Sequence, residues 1–248
     1  MFLAIKMSEV TWPVIDRAFN KSFPLIIPLG AACKEHGYHL PMNTDLIISE
    51  YLVDWIMANY SVLIAPTITY SFFPAFVEYS GSATISYEVA VNFIKDLCLT
   101  WHQQGAKQFY VLNTGISTNQ VLAQVSNILR SESIQFNYFD FSTLMKGDEI
   151  KELEQQKIGS HADEIESSIM LYIKPEVVDL TKAIVEESPD KPGSLTRDIK
   201  ARDRTISVSG AWGNPTLATR EKGKKVMEYL IELLEKDLDK LFPQSKKS

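Results

Sequence analysis

Two of the chain's four histidines fall in one short stretch, Gly30 to Asp45, reading GAACKEHGYHLPMNTD. Lys34, Glu35, His36, His39 and Asp45 stand together there. Neutral imidazole and carboxylate are ordinary ligands of Zn, Mn and Fe, so this mixture suits a divalent metal. Taken alone, the same mixture also fits a polar loop whose histidines and acids meet by chance. Two other stretches carry groups of the same kind. Asn113 to Asn119 reads NTGISTN, which is either a polar binding turn or a plain strand-to-helix turn capped by Ser117 or Thr118. His161 and Glu166 form the third. On an ideal helix two residues at that spacing diverge by roughly 140°. They face one site only if His161 lies at or before the first turn and Glu166 projects from the helix body. His102 has no such company and reads as a surface or satisfied core residue.

These stretches need elements to hold them. Phe23 to Leu29, FPLIIPL, is a continuous apolar run of strand length, buried on both faces. Gly30, Gly37 and Pro41 then make the following stretch a loop. A loop leaving a buried strand is where an open α/β sheet binds its ligand. Thr44 to Asn59 has the period of a helix, with Asn43 or Thr44 as cap. The same rhythm recurs. Ser61 to Thr67, Gln108 to Leu112 and the alternating, edge-like Ile134 to Phe141 predict strands. Ser8 to Asn20, Ser86 to Gln104 and Gln120 to Arg130 predict helices, the second capped by Ser86 and ended by Gly105. Such alternation predicts a mainly parallel sheet covered on both faces by helices, in one domain spanning 1–248. Tyr70 to Ser86 is an aromatic-rich loop, a pocket wall or a subunit contact. Lys146 to Ile158 predicts a solvated helix or lid, Gly159 to Lys174 a helix stopped by Pro175, and Glu186 to Arg204, with Pro192 and Gly193, an exposed excursion. Pro215 suits the first turn of a last helix running to about Leu241.

Composition narrows the function. The 248 residues are 45% hydrophobic, enough for a sizeable core. A net charge of −6 and the absence of a basic stripe argue against nucleic acid. No apolar run approaches the roughly 20 residues of a membrane span, and the start of the chain lacks the pattern of a signal peptide. Cys33 and Cys98 have no metal-ligand spacing and suit a reducing cytoplasm. There is neither a G-x-G-x-x-G after the first strand nor a G-K-[ST] phosphate loop.

His36 to Asp45 also resembles the H-G-x-H-L-P-x-x-T-D signature of the creatininase family of amidohydrolases. Four later segments resemble that family's motifs in order. Tyr70 with Gly81-Ser82-Ala83-Thr84 is similar to Y-G…P-G-T. Asn113 to Asn119 falls where the family has N-G-H-G-G-N. Ser160-His161-Ala162 with Glu166-Ser167-Ser168 resembles G-H-A-G-x-x-E-T-S. Gly210 and Gly213-Asn214-Pro215, then Ala218-Thr219 and Gly223, resemble G-x-x-G-D-P-x-x-A-T-x-x-G. The similarity runs from about residue 22 to 235.

The resemblance implies a three-layer α/β/α fold, assembly into homo-oligomers, usually hexamers, and hydrolysis of a small-molecule amide at a one- or two-metal site. It also marks departures. Lys34 stands where the family has a ligand carboxylate, and the family's histidine is missing from 113–119. His36, Asp45 and Glu166 match the ligands of a single remaining metal, Zn first and Mn or Fe next. The Lys34 ammonium would replace the lost cation and face an oxyanion, or else merely pair with Glu35 or Asp45 in a dead site. His161 is then expected to move the proton. Polar groups of Glu35, His39, Tyr70, Asn113, Ser117 and Thr118 are expected to hold the substrate. The expectation is therefore an amidohydrolase acting on a small cyclic or linear amide, against a catalytically silent relative that keeps the fold for ligand binding or assembly.

Overall fold

The computed structural model describes residues 4–143, 147–191 and 194–247. Lys146, Pro192 and Gly193, on which parts of two sequence expectations fall, lie outside the described residues. Five strands form one parallel sheet: β1 Ile5–Lys6, β2 Leu25–Leu29, β3 Leu63–Ile64, β4 Gln108–Asn113 and β5 Gln135–Tyr138. Their order is β1-β3-β2-β4-β5. The chain leaves β2 for β3 on one side, while β4 and β5 lie on the other. The order reverses between β2 and β4, paired from Leu25↔Phe109 to Leu29↔Asn113. A crevice opens beyond the carboxyl ends of strands at such a reversal.

Alternation along the strands builds two cores. Leu25, Ile27, Leu29, Phe109 and Val111 pack with helices α1 Trp12–Asn20, α3 Tyr87–Gln103 and α4 Asn119–Ser131. Ile26, Tyr110 and Leu112 pack with α2 Thr44–Asn59, α5 Asp148–Leu153, α6 Glu164–Ile173 and α7 Arg220–Leu241. The expected three-layer α/β/α architecture is present. The edge position of β5 and the Ser86 cap of α3, which accepts from Val89 N at 3.3 Å, agree with the sequence. His102 is satisfied by Ala106 O at 3.0 Å.

Several expectations change. Ser61 to Thr67 yields only two strand residues, and β1 adds an edge strand the sequence did not announce. Ser8 to Asn20 splits into a short 3-10 turn, Met7–Glu9, and α1, which starts with Pro13 in its first turn. The helix expected over Gly159 to Lys174 begins only at Glu164. Ala162 has φ +47, a left-handed conformation that a helix cannot carry through, and Asp163 caps the next turn by accepting from Ile165 N and Glu166 N. Pro215 opens a separate 3-10 turn, Pro215–Leu217; α7 starts after Thr219, whose side chain accepts from Lys222 N. The excursion 186–204 is not simply exposed: Leu195 and Thr196 are buried, and Glu78 accepts from Thr196 Oγ1, Arg197 N and Arg204. Where α6 crosses α7, Gly223 sits against the Ser168 carbonyl, with no room for a side chain. Among the described residues no helix is long and apolar enough to cross a membrane.

Candidate metal centre

The three stretches with chemical potential converge at the β2/β4 crevice. The loop after β2 delivers Lys34, Glu35 and His36, and Asp45 lies in the first turn of α2. The turn after β4 brings Thr114 to Ser117. His161 precedes α6, held by backbone pairing with Trp212, and Glu166 lies in that helix's first turn. Their cavity holds about 200 Å³, with Phe76, Phe141, Leu195 and Trp212 as apolar walls and Lys34, Asp45, Ser117, Ser160, His161 and Glu166 among its polar groups.

His36, His161 and Glu166 each offer a ligand atom within 4.8 Å of the others. Hydrogen bonds set the direction of each ring. His36 Nδ1 donates to Lys34 O at 2.9 Å, which leaves Nε2 facing Asp45 Oδ1 at 3.0 Å and Glu166 Oε1 at 3.6 Å. His161 Nε2 donates to Glu35 O at 2.9 Å and Oε1 at 2.8 Å, which leaves Nδ1 facing Glu166 Oε2 at 3.7 Å. These tautomers follow from the acceptors, since a carbonyl or carboxylate oxygen requires the proton on nitrogen. A nitrogen lone pair cannot face carboxylate oxygens without a cation between them, either a proton or a metal. Burial and the nearby Lys34 oppose protonation of His36. Glu166 and Asp45 outweigh both and pull its pKa up to about 9. Burial opposes ionisation of Glu166, but His36, His161 and Lys34 hold its carboxyl far below the usual range. The donor set and its orientation therefore fit a divalent metal, and a ring nitrogen tied back to oxygen is the usual support of a ligating histidine.

Beside this cluster Lys34 Nζ lies 2.7 Å from Asp45 Oδ2, with 6% and 2% of the two residues exposed. The ammonium also stands 5.0 Å from the centre of the Phe76 ring. Burial opposes its charge, yet Asp45, Glu166 and Glu35 raise its pKa. Burial likewise opposes the charge of Asp45, which Lys34 and His36 bring below the usual carboxylate range.

The expected substrate-holding set fares unevenly. Ser117 lines the cavity. Asn113 and Thr118 are consumed by the turn itself: Thr118 Oγ1 donates to Asn113 Oδ1 at 2.5 Å, and Asn113 Nδ2 donates to Gly115 O and Asn119 Oδ1. His39 is buried outside the cavity lining, with Ser167 Oγ 2.8 Å from its Nε2, and burial lowers its pKa to about 4. Tyr70 is 47% exposed and lines a separate apolar groove with Phe93, Leu97 and Trp101. Glu35 does not line the cavity and is bonded to His161, which does. The aromatic loop does supply a pocket wall, Phe76, whose ring centre lies 4.4 Å from that of His161. The sequence missed the walls Trp212 and Leu195 and the pairing of Glu35 with His161. The glycines around Trp212 were the available signal for the first.

The creatininase family model, described as creatinine amidohydrolase, matches residues 8–238. The chain is 20% identical to a creatinine amidohydrolase from Pseudomonas putida, over 98% of this chain and 99% of that one. It is 27% identical to a 3-dehydro-scyllo-inosose hydrolase from Thermotoga maritima, over 90% and 79%. A solved structure described as creatininase with Mn superposes with a TM-score of 0.82 at 18% identity, over 97% and 99%.

Proposed function

Because the chain belongs to the creatininase family, we propose that it is a metal-dependent amidohydrolase cleaving a non-peptide C–N bond of a small cyclic or linear amide. One divalent metal, Zn before Mn or Fe, would be held by His36 and Glu166, with Asp45 and His161 beside it. The observation that carries this is the orientation of the two imidazoles, each tied back to an oxygen with its other nitrogen facing Glu166. With both rings neutral, Glu35, Asp45 and Glu166 against the single ammonium of Lys34 leave two negative charges, which one divalent ion offsets. A bound ion supplies polarisation of the amide carbonyl and an acidic water.

The chain's own groups do the rest. Lys34 directs N–H donors at the oxygen where negative charge develops. Its raised pKa suits electrostatic stabilisation rather than proton donation. Phe76, Phe141 and Trp212 keep water from the buried charges. Ser117 and Ser160 are the hydroxyls at hand for polar groups of the substrate. The cavity volume suits a molecule the size of a small ring. P. putida creatinine amidohydrolase supports an amide substrate; the T. maritima hydrolase, named for an inosose, supports only a small ring. A homo-oligomer, a hexamer by family likeness, is part of this reading, as is a cytoplasmic setting, which the unpaired Cys33 and Cys98 suit.

One observation favours a second reading, a silent site. With His36 protonated, its bonds to Asp45 and Lys34 O and the Lys34–Asp45 pair close without any metal. Elemental analysis of the purified protein, followed by a screen of small amides, lactams and formamides after metal loading, separates the two. About one equivalent of metal and turnover of a screened amide are expected. No bound metal after reconstitution rejects the enzyme reading.

A further inference from the structure

Glu35 is a buried carboxylate, 4% exposed, that does not line the cavity. Both its oxygens are committed. Oε1 accepts from His161 Nε2 at 2.8 Å, and Oε2 accepts from Gly37 N at 2.9 Å. Its backbone is fixed as well: its N–H donates to Ser82 Oγ at 2.9 Å, and its carbonyl accepts from the same His161 Nε2 at 2.9 Å. The carboxylate rests directly on Gly210, where a Cβ would come within 1.9 Å of Oε2. Gly210 also has φ +99, so both space and backbone reserve that position for glycine. One residue therefore grips one ring nitrogen with two oxygens, and a bare glycine behind it preserves the grip.

Held in this way, His161 carries a proton on Nε2, and Nδ1 is the nitrogen left to face a cation. The Phe76 ring, 4.4 Å away, and the His36 ring, 4.9 Å away, restrict its tilt. Nδ1 faces Glu166 Oε2, and its set with His36 and Glu166 is the compact one, within 4.8 Å. Asp45 instead has one oxygen on Lys34 at 2.7 Å. A carboxylate behind one ring nitrogen is the usual support of a ligating imidazole, and here the other nitrogen belongs to the compact set.

Building on the one-metal reading above, we propose that Glu35 is a positioning residue that makes His161 the third protein ligand of the ion, with His36 and Glu166, and leaves Asp45 as the counter-ion of Lys34. The carboxylate one place after Lys34 does not ligate the metal; it acts through the imidazole in front of it.

The test is calorimetric titration of metal-stripped, full-length protein with Zn²⁺, with the visible absorption of the Co²⁺-loaded protein as a second readout. Wild type is expected to take up one equivalent. Glu35→Ala should weaken binding by about 10- to 100-fold and shift the Co²⁺ bands. Glu35→Gln, which keeps an acceptor oxygen, should recover part of the loss, as no merely space-filling role would require. His161→Ala should lose more affinity than Asp45→Asn. Wild-type affinity and an unchanged Co²⁺ spectrum in Glu35→Ala and His161→Ala, with wild type binding metal normally, would overturn this proposal and leave the one-metal reading standing. Failure of wild type to bind either ion would overturn both. If Glu35→Ala does not fold, Glu35→Gln and His161→Ala carry the same comparison.

Discussion

The cavity has two sides of opposite electrical character. On one, His36, His161 and Glu166 turn nitrogen and oxygen lone pairs toward one another, an arrangement that calls for a cation. On the other, Lys34 and Asp45 already satisfy each other at 2.7 Å. Both sides are buried and share Asp45, whose second oxygen lies 3.0 Å from His36 Nε2. Beside Asp45 the chain thus carries its own positive charge. A buried carboxylate left without a cation would be costly, and Lys34 supplies that cation from within the chain.

Three substitutions break or sharpen this contrast. The largest effect is expected from His36→Ala, which removes the ring facing both Asp45 and Glu166. Metal content after dialysis against chelator-buffered Zn²⁺ should fall by about 100-fold or more, beyond the loss typical of a supporting residue. Full metal retention would show that the cluster is not the binding side. Next comes Lys34→Glu, which should make the second side resemble the first. Without metal, the new carboxylate beside Asp45 should lower the melting temperature. Added Mn²⁺ or Zn²⁺ should restore it, and uptake should rise from one equivalent toward two, because binding to the folded state alone stabilises it. An unchanged stoichiometry would leave the exchange of lysine for a cation unsupported. The smallest effect is expected from Phe76→Leu, which removes the ring face 5.0 Å from the Lys34 ammonium. A loss of about 0.5–2 kcal/mol of stability in denaturant melts, with metal stoichiometry unchanged, would match the loss of ring contacts to Lys34 and His161 without the loss of a ligand.

The elements that hold this site were legible because their signals are local. α2 begins and ends where its period does, and Ser86 caps α3 as its side chain allows. The placement of His161 ahead of α6 followed from helical geometry once Glu166 was taken to lie within the helix. What stayed hidden depends on distant partners. Glu35 and His161 are separated by 126 positions, and no local pattern joins them. Asn113 and Thr118 look like substrate-binding groups by type, but the turn needs the same atoms to satisfy its own backbone. His39 looks like a substrate-holding group by type and neighbourhood, yet its Nε2 is bonded to Ser167 of α6. β1 escaped notice because two residues carry no period, and only pairing with β3 defines them.

The bare contact between the last two helices has a bearing on the cavity that its remoteness conceals. A Cβ at Gly223 would come within 1.8 Å of the Ser168 carbonyl, two residues along α6 from Glu166. A methyl group at that crossing would push α6 bodily toward the sheet's crevice or tip it away, and Glu166 would travel with it. The separation between a carboxylate and two imidazoles is thus set partly from behind, by how closely two backbones can lie. Widening that approach by a single carbon would detune the centre without touching any group inside it.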